Sequence, residues 1–309
     1  MSIHHVTAIA GDPQRNLDFY TGVLGLRLVK LTVNFDDPSS YHLYFGDELG
    51  RPGSILTFFP WPDGQRGRQG TGQVGAVSLA VPPASLGYWI ERLVQHGIKF
   101  DGPARRFDEQ VLSFPDPDGL LLELVATPRV ERVAPWADGP VPAEHAVRGL
   151  HGGTIWEDGD RGTAEVLTGQ LGYRLVGEEG NRLRFESSAE GVGTVLDLRR
   201  VPGFWSGAVG VGTVHHVAFV RRPTRRSWSS ARGSRLPAFR PRRWWTASTS
   251  TRCTSVSPAE CGSRSRPMAR ASPPMSRRPS SARSSSCRPC TSPCGTGSRR
   301  RCRPCGCRR

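Results

Sequence analysis

Two histidine pairs, His4-His5 and His215-His216, each interrupt an alternating apolar stretch: Ile3 to Ile9 near the start of the chain, and Thr213 to Phe219 more than 200 residues later. Strict alternation along an extended strand puts His5 and Thr7 on one face with His4 and Val6 on the other. It likewise sets His216 with Val214 and Ala218 and turns His215 away. One imidazole from each pair could meet in a shared cavity. A lone strand histidine is usually a satisfied core or surface residue, but two matched pairs at equivalent places make metal ligation the better reading. Two imidazoles and one carboxylate on one face of an octahedral ion leave three positions open. That arrangement suits non-haem Fe(II), which can hold a substrate and O2 together.

The elements that must position these residues recur. After Ile3–Ile9, Asp12 or Asn16 can open a short helix with Leu17, Phe19, Tyr20 and Val23 as its apolar positions. Leu24-Gly25 ends it, and strands follow from Leu26 to Val29, Tyr41 to Phe45 and Ser54 to Phe59, giving βαβββ. A second copy runs from a strand at Gly75–Val81 through a helix at Leu86–His96, stopped by Gly97. Strands at Val111–Phe114 and Leu120–Ala126 are joined by the turn Pro115-Asp116-Pro117-Asp118-Gly119. After a linker with Pro135, Pro140 and Pro142, a third copy takes Leu150–Ile155 as strand and Thr163–Gln170 as helix. Its Leu171-Gly172-Tyr173-Arg174-Leu175 mirrors Leu24-Gly25-Leu26-Arg27-Leu28, and strands near Leu183–Glu186 and Thr194–Leu198 follow. A fourth copy starts at Thr213–Phe219 and is not completed. The expected fold is α+β, built from tandem βαβββ modules, with His5 and His216 opening the first and last of them.

Composition changes where the repeats stop. Up to Val220 there are 19 Lys and Arg against 26 Asp and Glu; from Arg221 onward there are 23 Arg, no Lys and one acid, Glu260. An acidic body argues against a nucleic-acid partner despite the overall charge of +15. All eight cysteines lie in the tail. A cysteine-free body with no signal peptide and no apolar run of membrane length suits a cytoplasmic protein. The tail could be a basic nucleic-acid arm, a zinc module on Cys287, Cys290, Cys302 and Cys305, or a translation out of frame. It has no histidine and no apolar period, so it cannot offset the entropy of ordering it. GC-rich codons for Trp244–Pro273, read one nucleotide earlier, permit strand alternation, a Pro-Gly-Gly turn and a strand with a central Glu where Arg264 now stands. A frame break just after Phe219 is therefore expected. The division reads as residues 1–130 holding two modules, 146–220 holding the third module and the first strand of the fourth, and 221–309 as an aberrant, disordered tail.

Four runs carry a more specific likeness: His4-His5-Val6-Thr7, Leu24 to Asp37, Phe58-Phe59-Pro60-Trp61, and Gly212-Thr213-Val214-His215-His216. With the βαβββ repeats, they resemble the glyoxalase/bleomycin-resistance/dioxygenase (vicinal oxygen chelate) superfamily, and within it the ring-cleaving dioxygenases that act on hydroquinones. The resemblance implies Fe(II), or Mn(II), held by His5, His216 and a late Glu that is absent here and expected near Arg264. It implies that His4, Thr7 and His215 surround and orient the ligands, and that an Arg and a Tyr beside the substrate fall at Ala247 and Thr254. The implied reaction is ring opening of a small aromatic substrate by both atoms of O2, impaired in this chain by the lost ligand. A homo-oligomer is possible, and no membrane or nucleic-acid partner is expected. Competing readings are a glyoxalase-like metal-dependent lyase or isomerase and a non-catalytic ligand-binding resistance protein. Glu123 and His151 read as repeat-derived relics or structural hydrogen bonds, and Asp36-Asp37 as a solvated turn.

Overall fold

The computed structural model describes residues 1–34, 37–131 and 133–220, with the backbone of 245–248. In the first module, β1 (Ser2–Ala10) leads to α1 (Pro13–Asp18), which runs on as a π-helical turn over Phe19–Val23. Asp12 caps α1 by accepting the Arg15 backbone N–H at 2.7 Å, as its residue type favours. Strands β2 (Arg27–Val33), β3 (Tyr41–Gly46) and β4 (Ile55–Pro60) complete the module.

The second module has β5 (Gln73–Val81), α2 (Leu86–Gln95), β6 (Asp101–Arg106), β7 (Glu109–Pro115) and β8 (Leu121–Ala126). The third has β9 (Gly149–Glu157), α3 (Arg161–Glu165) with a π-helical turn over Val166–Gln170, β10 (Tyr173–Glu179), β11 (Arg182–Ser187) and β12 (Val195–Arg200). Only β13 (Val214–Val220) and a short β14 (Trp245–Ser248) follow among the described residues. The α+β class and the module order agree with the sequence. The expected disorder of 221–309 concerns residues that lie, β14 apart, outside the described ones.

β6 was not anticipated as a separate strand. Its sequence Asp-Gly-Pro-Ala-Arg-Arg has no apolar alternation and is almost wholly exposed. It survives as the edge of a sheet, where proline is tolerated because one row of N–H groups faces solvent.

Two sheets result, of order β14-β13-β1-β4-β3-β2 and β10-β11-β12-β9-β5-β8-β7-β6. The first module thus pairs with the start of the fourth, and the second with the third, so each sheet takes strands from both sides of the proline-bearing linker. Within a module the last strand runs parallel to the first: β1 with β4, β5 with β8, β9 with β12. Between modules the first strands pair antiparallel, β1 with β13 and β5 with β9.

One face of β1, with Val6, Ala8 and Ala10, joins Tyr20, Leu24, Phe45 and Phe58 in the core. On α2, Leu86, Trp89 and Leu93 form the buried stripe expected at helical spacing. Trp89 is fully buried and donates its indole N–H to the His145 carbonyl at 3.0 Å. Truncating such a side chain costs about 3–5 kcal/mol. The predicted turn at 115–119 latches the first two modules together. Asp118 accepts the Gly11 N–H at 2.8 Å, and Asp116 accepts the Tyr20 hydroxyl at 3.0 Å. Burial pushes the Asp116 carboxyl up to about 6.

Candidate metal centre

Pairing in the first sheet departs from strict alternation at two points. Ile3 opposes Phe219 and His5 opposes Ala218, so His4 is an extra residue. Thr7 opposes His216 and Ala8 opposes Val214, so His215 is extra on the other strand. An extra residue is a β-bulge, which re-aims the side chain beside it. The expectation that His4 and His215 face away is therefore corrected: each outer ring lies against its inner partner. His4 Nδ1 is 2.9 Å from His5 Nδ1, and His215 Nδ1 is 2.8 Å from His216 Nδ1.

With both Nδ1 atoms so engaged, the two inner rings turn their Nε2 atoms toward each other, 3.3 Å apart. Two ligands about 2.1 Å from one ion at a right angle lie roughly 3.0 Å apart, so this spacing fits adjacent positions on a single cation. Thr7, fully buried, places Oγ1 3.1 Å from His216 Nε2. Burial, then the nearby charges of His216, His4 and His42, holds the His5 imidazole down at about 3. Burial also lowers His4. Neutral imidazoles carry the lone pair that a metal needs.

The same face continues across the sheet in a register that the sequence did not disclose. Thr7 opposes Thr57 on β4, and Thr57 opposes Tyr44 on β3. Thr7 Oγ1 and Thr57 Oγ1 are 2.7 Å apart, His42 Nε2 is 2.9 Å from Thr57 Oγ1, and the Tyr44 hydroxyl is 2.8 Å from His42 Nδ1. His42 also packs on Phe59 at 4.3 Å, and Phe59 meets the His215 ring edge-on at 5.5 Å. His42 lies in a single-histidine strand, and only its 2.9 Å contact with Thr57, whose register partner is Tyr44, marks it.

The four first strands share one design. β5 has its extra residue at Gly75 and β9 at His151. The residue after the bulge is His5, Ala76, Gly152 or His216, so the ligand position is filled by histidine only in the first and fourth copies. His151 matches His4, and it meets Glu109 at 3.0 Å rather than any metal partner. Glu123 accepts the Ser78 hydroxyl at 2.6 Å and a bidentate pair from Arg106 at 2.7 and 2.8 Å. Both are structural hydrogen-bonding groups, as the sequence suggested. Asp37 is an exposed turn residue bonded to Ser39, while Asp36 lies outside the described residues.

Among the described residues no three His, Cys, Asp or Glu side chains converge as a metal site. Arg264 and Thr254, where the third ligand and the substrate tyrosine were expected, lie outside them, and Ala247 is placed only as backbone opposite Val217 in β14. The last strands still offer a hint. Thr57, Glu123 and Asp197 hold the same rung in the first three modules, opposite Thr7, Ser78 and Thr154. Two of those three are carboxylates.

The model of the Glyoxalase/Bleomycin resistance protein/Dioxygenase superfamily matches residues 2–124. A Bacillus subtilis (strain 168) protein named as the ring-cleaving dioxygenase MhqO is 46% identical over 219 residues, covering 71% of this chain and 69% of its own. The chlorohydroquinone/hydroquinone 1,2-dioxygenase of Sphingobium indicum is 35% identical over 224 residues, covering 70% and 69%. A crystal structure described as a dioxygenase from Bacillus subtilis superposes with a TM-score of 0.66 at 46% identity, over 70% of this chain and 69% of that one. Maize glyoxalase I shares the fold, with a TM-score of 0.51 at 18% identity over 70% and 73%. The chain belongs to the glyoxalase/bleomycin-resistance/dioxygenase superfamily, on the branch of its ring-cleaving dioxygenases.

Proposed function

We propose that this protein derives from an Fe(II)-dependent dioxygenase, with Mn(II) as the other candidate ion, that opens hydroquinone- or catechol-like rings with O2. The observation that carries this reading is the pair of His5 and His216 Nε2 atoms 3.3 Å apart, each backed through Nδ1 by a neighbouring histidine. His5 and His216 would hold the ion, and His4, His215 and Thr7 would orient them. A bound ion supplies the site for O2 and for the substrate oxygen, leaving the chain to position both. Phe59, edge-on to His215 and backed by His42, gives the site an aromatic wall suited to a flat ring.

In the restored frame the third ligand would be a Glu of the fourth module's last strand, at the rung where Glu123 and Asp197 stand in their own modules. Arg264 stands at the sequence position where the restored frame would put that Glu, and a guanidinium cannot ligate a cation. Residues 1–130 and 146–220 form the two halves of the enzyme, and 221–309 is the out-of-frame remainder. A cysteine-free body fits a cytoplasmic setting, and no described helix is long and apolar enough to cross a membrane.

An oxygen electrode tests the reading. With Fe(II) and hydroquinone, a frame-restored chain should consume one O2 per ring opened, and the chain as written should be slower by about 100-fold or more. No uptake by the restored chain sinks the dioxygenase. Equal uptake by both sinks the loss of a ligand.

A further inference from the structure

We infer that His42 and Tyr44 are positioning residues, which act through Thr57 to hold the Thr7 hydroxyl as a hydrogen-bond donor aimed where His5 and His216 converge. The inference rests on the assignment of His216 as a ligand, and it concerns residues on β3 and β4 that neither the histidine pairs nor the repeat pattern brought forward.

The argument is one of polarity. A ligand nitrogen presents a lone pair, so the 3.1 Å contact between Thr7 Oγ1 and His216 Nε2 has the hydroxyl donating. Thr7 must then accept from Thr57 across 2.7 Å, since a hydroxyl has only one proton to give. Thr57 has spent its proton and accepts from His42 Nε2–H across 2.9 Å. The Nε2–H tautomer leaves Nδ1 of His42 as an acceptor, and the Tyr44 hydroxyl donates to it across 2.8 Å. His42, Thr57 and Thr7 are each used once as donor and once as acceptor, in one direction, from the donating hydroxyl of half-buried Tyr44 to fully buried Thr7.

Strand register makes the alignment durable. His216, Thr7, Thr57, Tyr44 and Lys30 stand on one rung across β13, β1, β4, β3 and β2. His42 reaches in from the adjacent rung, wedged between Tyr44 at 4.0 Å and Phe59 at 4.3 Å. Lys30, 5.3 Å over the Tyr44 ring, closes the outer end. A cation held by His216 would occupy that lone pair, while Thr7 would still accept from Thr57 and would have its proton free for an oxygen ligand. The chain therefore favours an anionic oxygen there over a hydroxyl that must itself donate.

Two measurements on the full-length chain test this. The first uses histidine-selective 15N labelling and long-range 1H–15N spectra of the metal-free protein. His42 should be the Nε2–H tautomer and His216 the Nδ1–H tautomer, and Thr57→Val should scramble both. An Nδ1–H tautomer at His42, or a His216 signal indifferent to Thr57→Val, overturns the inference.

The second is Co(II) titration followed by visible absorption. His42→Phe should weaken binding by about 10-fold at a melting temperature unchanged above pH 6.5, His42→Gln should stay within about threefold because its amide can still donate to Thr57, and Tyr44→Phe should fall between them. Equal affinities for wild type and His42→Phe overturn the positioning role. If wild type and His5→Ala both ignore Co(II), the ligand reading fails instead, and the spectra alone decide the polarity.

Discussion

The two sheets carry the same bulged first strands and the same rung of inward polar positions, yet they are furnished in opposite ways. In the first, the rung is neutral from β13 to β3, with imidazoles and hydroxyls and an aromatic wall at Phe59, and carries a charge only at its outer end, Lys30. In the second, Ala76 and Gly152 stand at the ligand positions and ions fill the face. Arg184 donates to Asp197 at 2.9 and 3.1 Å and to Glu109 at 2.6 Å, with its guanidinium 4.3 Å from the Phe107 ring. Arg182 reaches Asp197 and Thr154, and Arg106 takes Glu123. Burial pushes the Glu109 carboxyl up, but the hydrogen bond and charge of His151, with Arg184 beside them, prevail and hold it at about 2. The difference teaches how a repeated scaffold divides its labour. A face whose charges neutralise one another is a brace and has no donor to spare for a metal. A face of neutral donors is less strongly tied and open to a cation.

Breaking the brace should have the largest effect. Arg184→Met leaves Glu109 and Asp197 buried without their shared guanidinium and should cost about 3–5 kcal/mol in urea unfolding. A loss under about 1 kcal/mol would remove the contrast between the sheets. Next is the closed ligand position. A Cβ at Gly152 would lie 1.9 Å from the Val195 carbonyl oxygen, so Gly152→Ala should cost about 1–3 kcal/mol as the strands are forced apart. Full stability in that variant would mean the second sheet had room for a side chain, and hence for a ligand.

The smallest effect is a slope. His5 at about 3 and His42 at about 4 sit below the ordinary histidine value of 6.5. For His42 the causes are burial first, then the charges of His216 and Lys30. Between those values and 6.5 the unfolded chain binds more protons than the folded one, so stability is complete above pH 6.5 and falls as pH drops toward 4 and 3. Glu109, at about 2 against 4.5, acts only below pH 4.5. Melting temperature against pH should therefore become shallower between 6.5 and 4.5 in His42→Phe, keeping the share of His5, and shallower only below 4.5 in Glu109→Gln. The reverse pattern would mean that the neutral and ionic faces have been exchanged.

Much of this was legible in the residues. Period-two alternation marks β1, β3, β4 and β13, and Leu24-Gly25-Leu26 against Leu171-Gly172-Tyr173 reveals the repeat. The matched His-His pairs announced a shared site because two rare doublets at equivalent places are hard to explain by core packing. β6 was hidden, since a polar edge strand has no buried face to impose a pattern. The bulges were hidden as well. An extra residue exists only relative to a partner strand, so alternation within β1 misplaced His4, and within β13 misplaced His215.

The sequence by itself determined the modules, the identity of the two inner histidines and the place where the pattern stops, because hydrophobic period and residue chemistry are local properties. Tertiary structure decided which modules share a sheet, that His4 and His215 fold back onto their neighbours, and that His42 joins the rung while His151 does not. Each of those depends on strand register, and register is set by the packing of strands far apart in the chain.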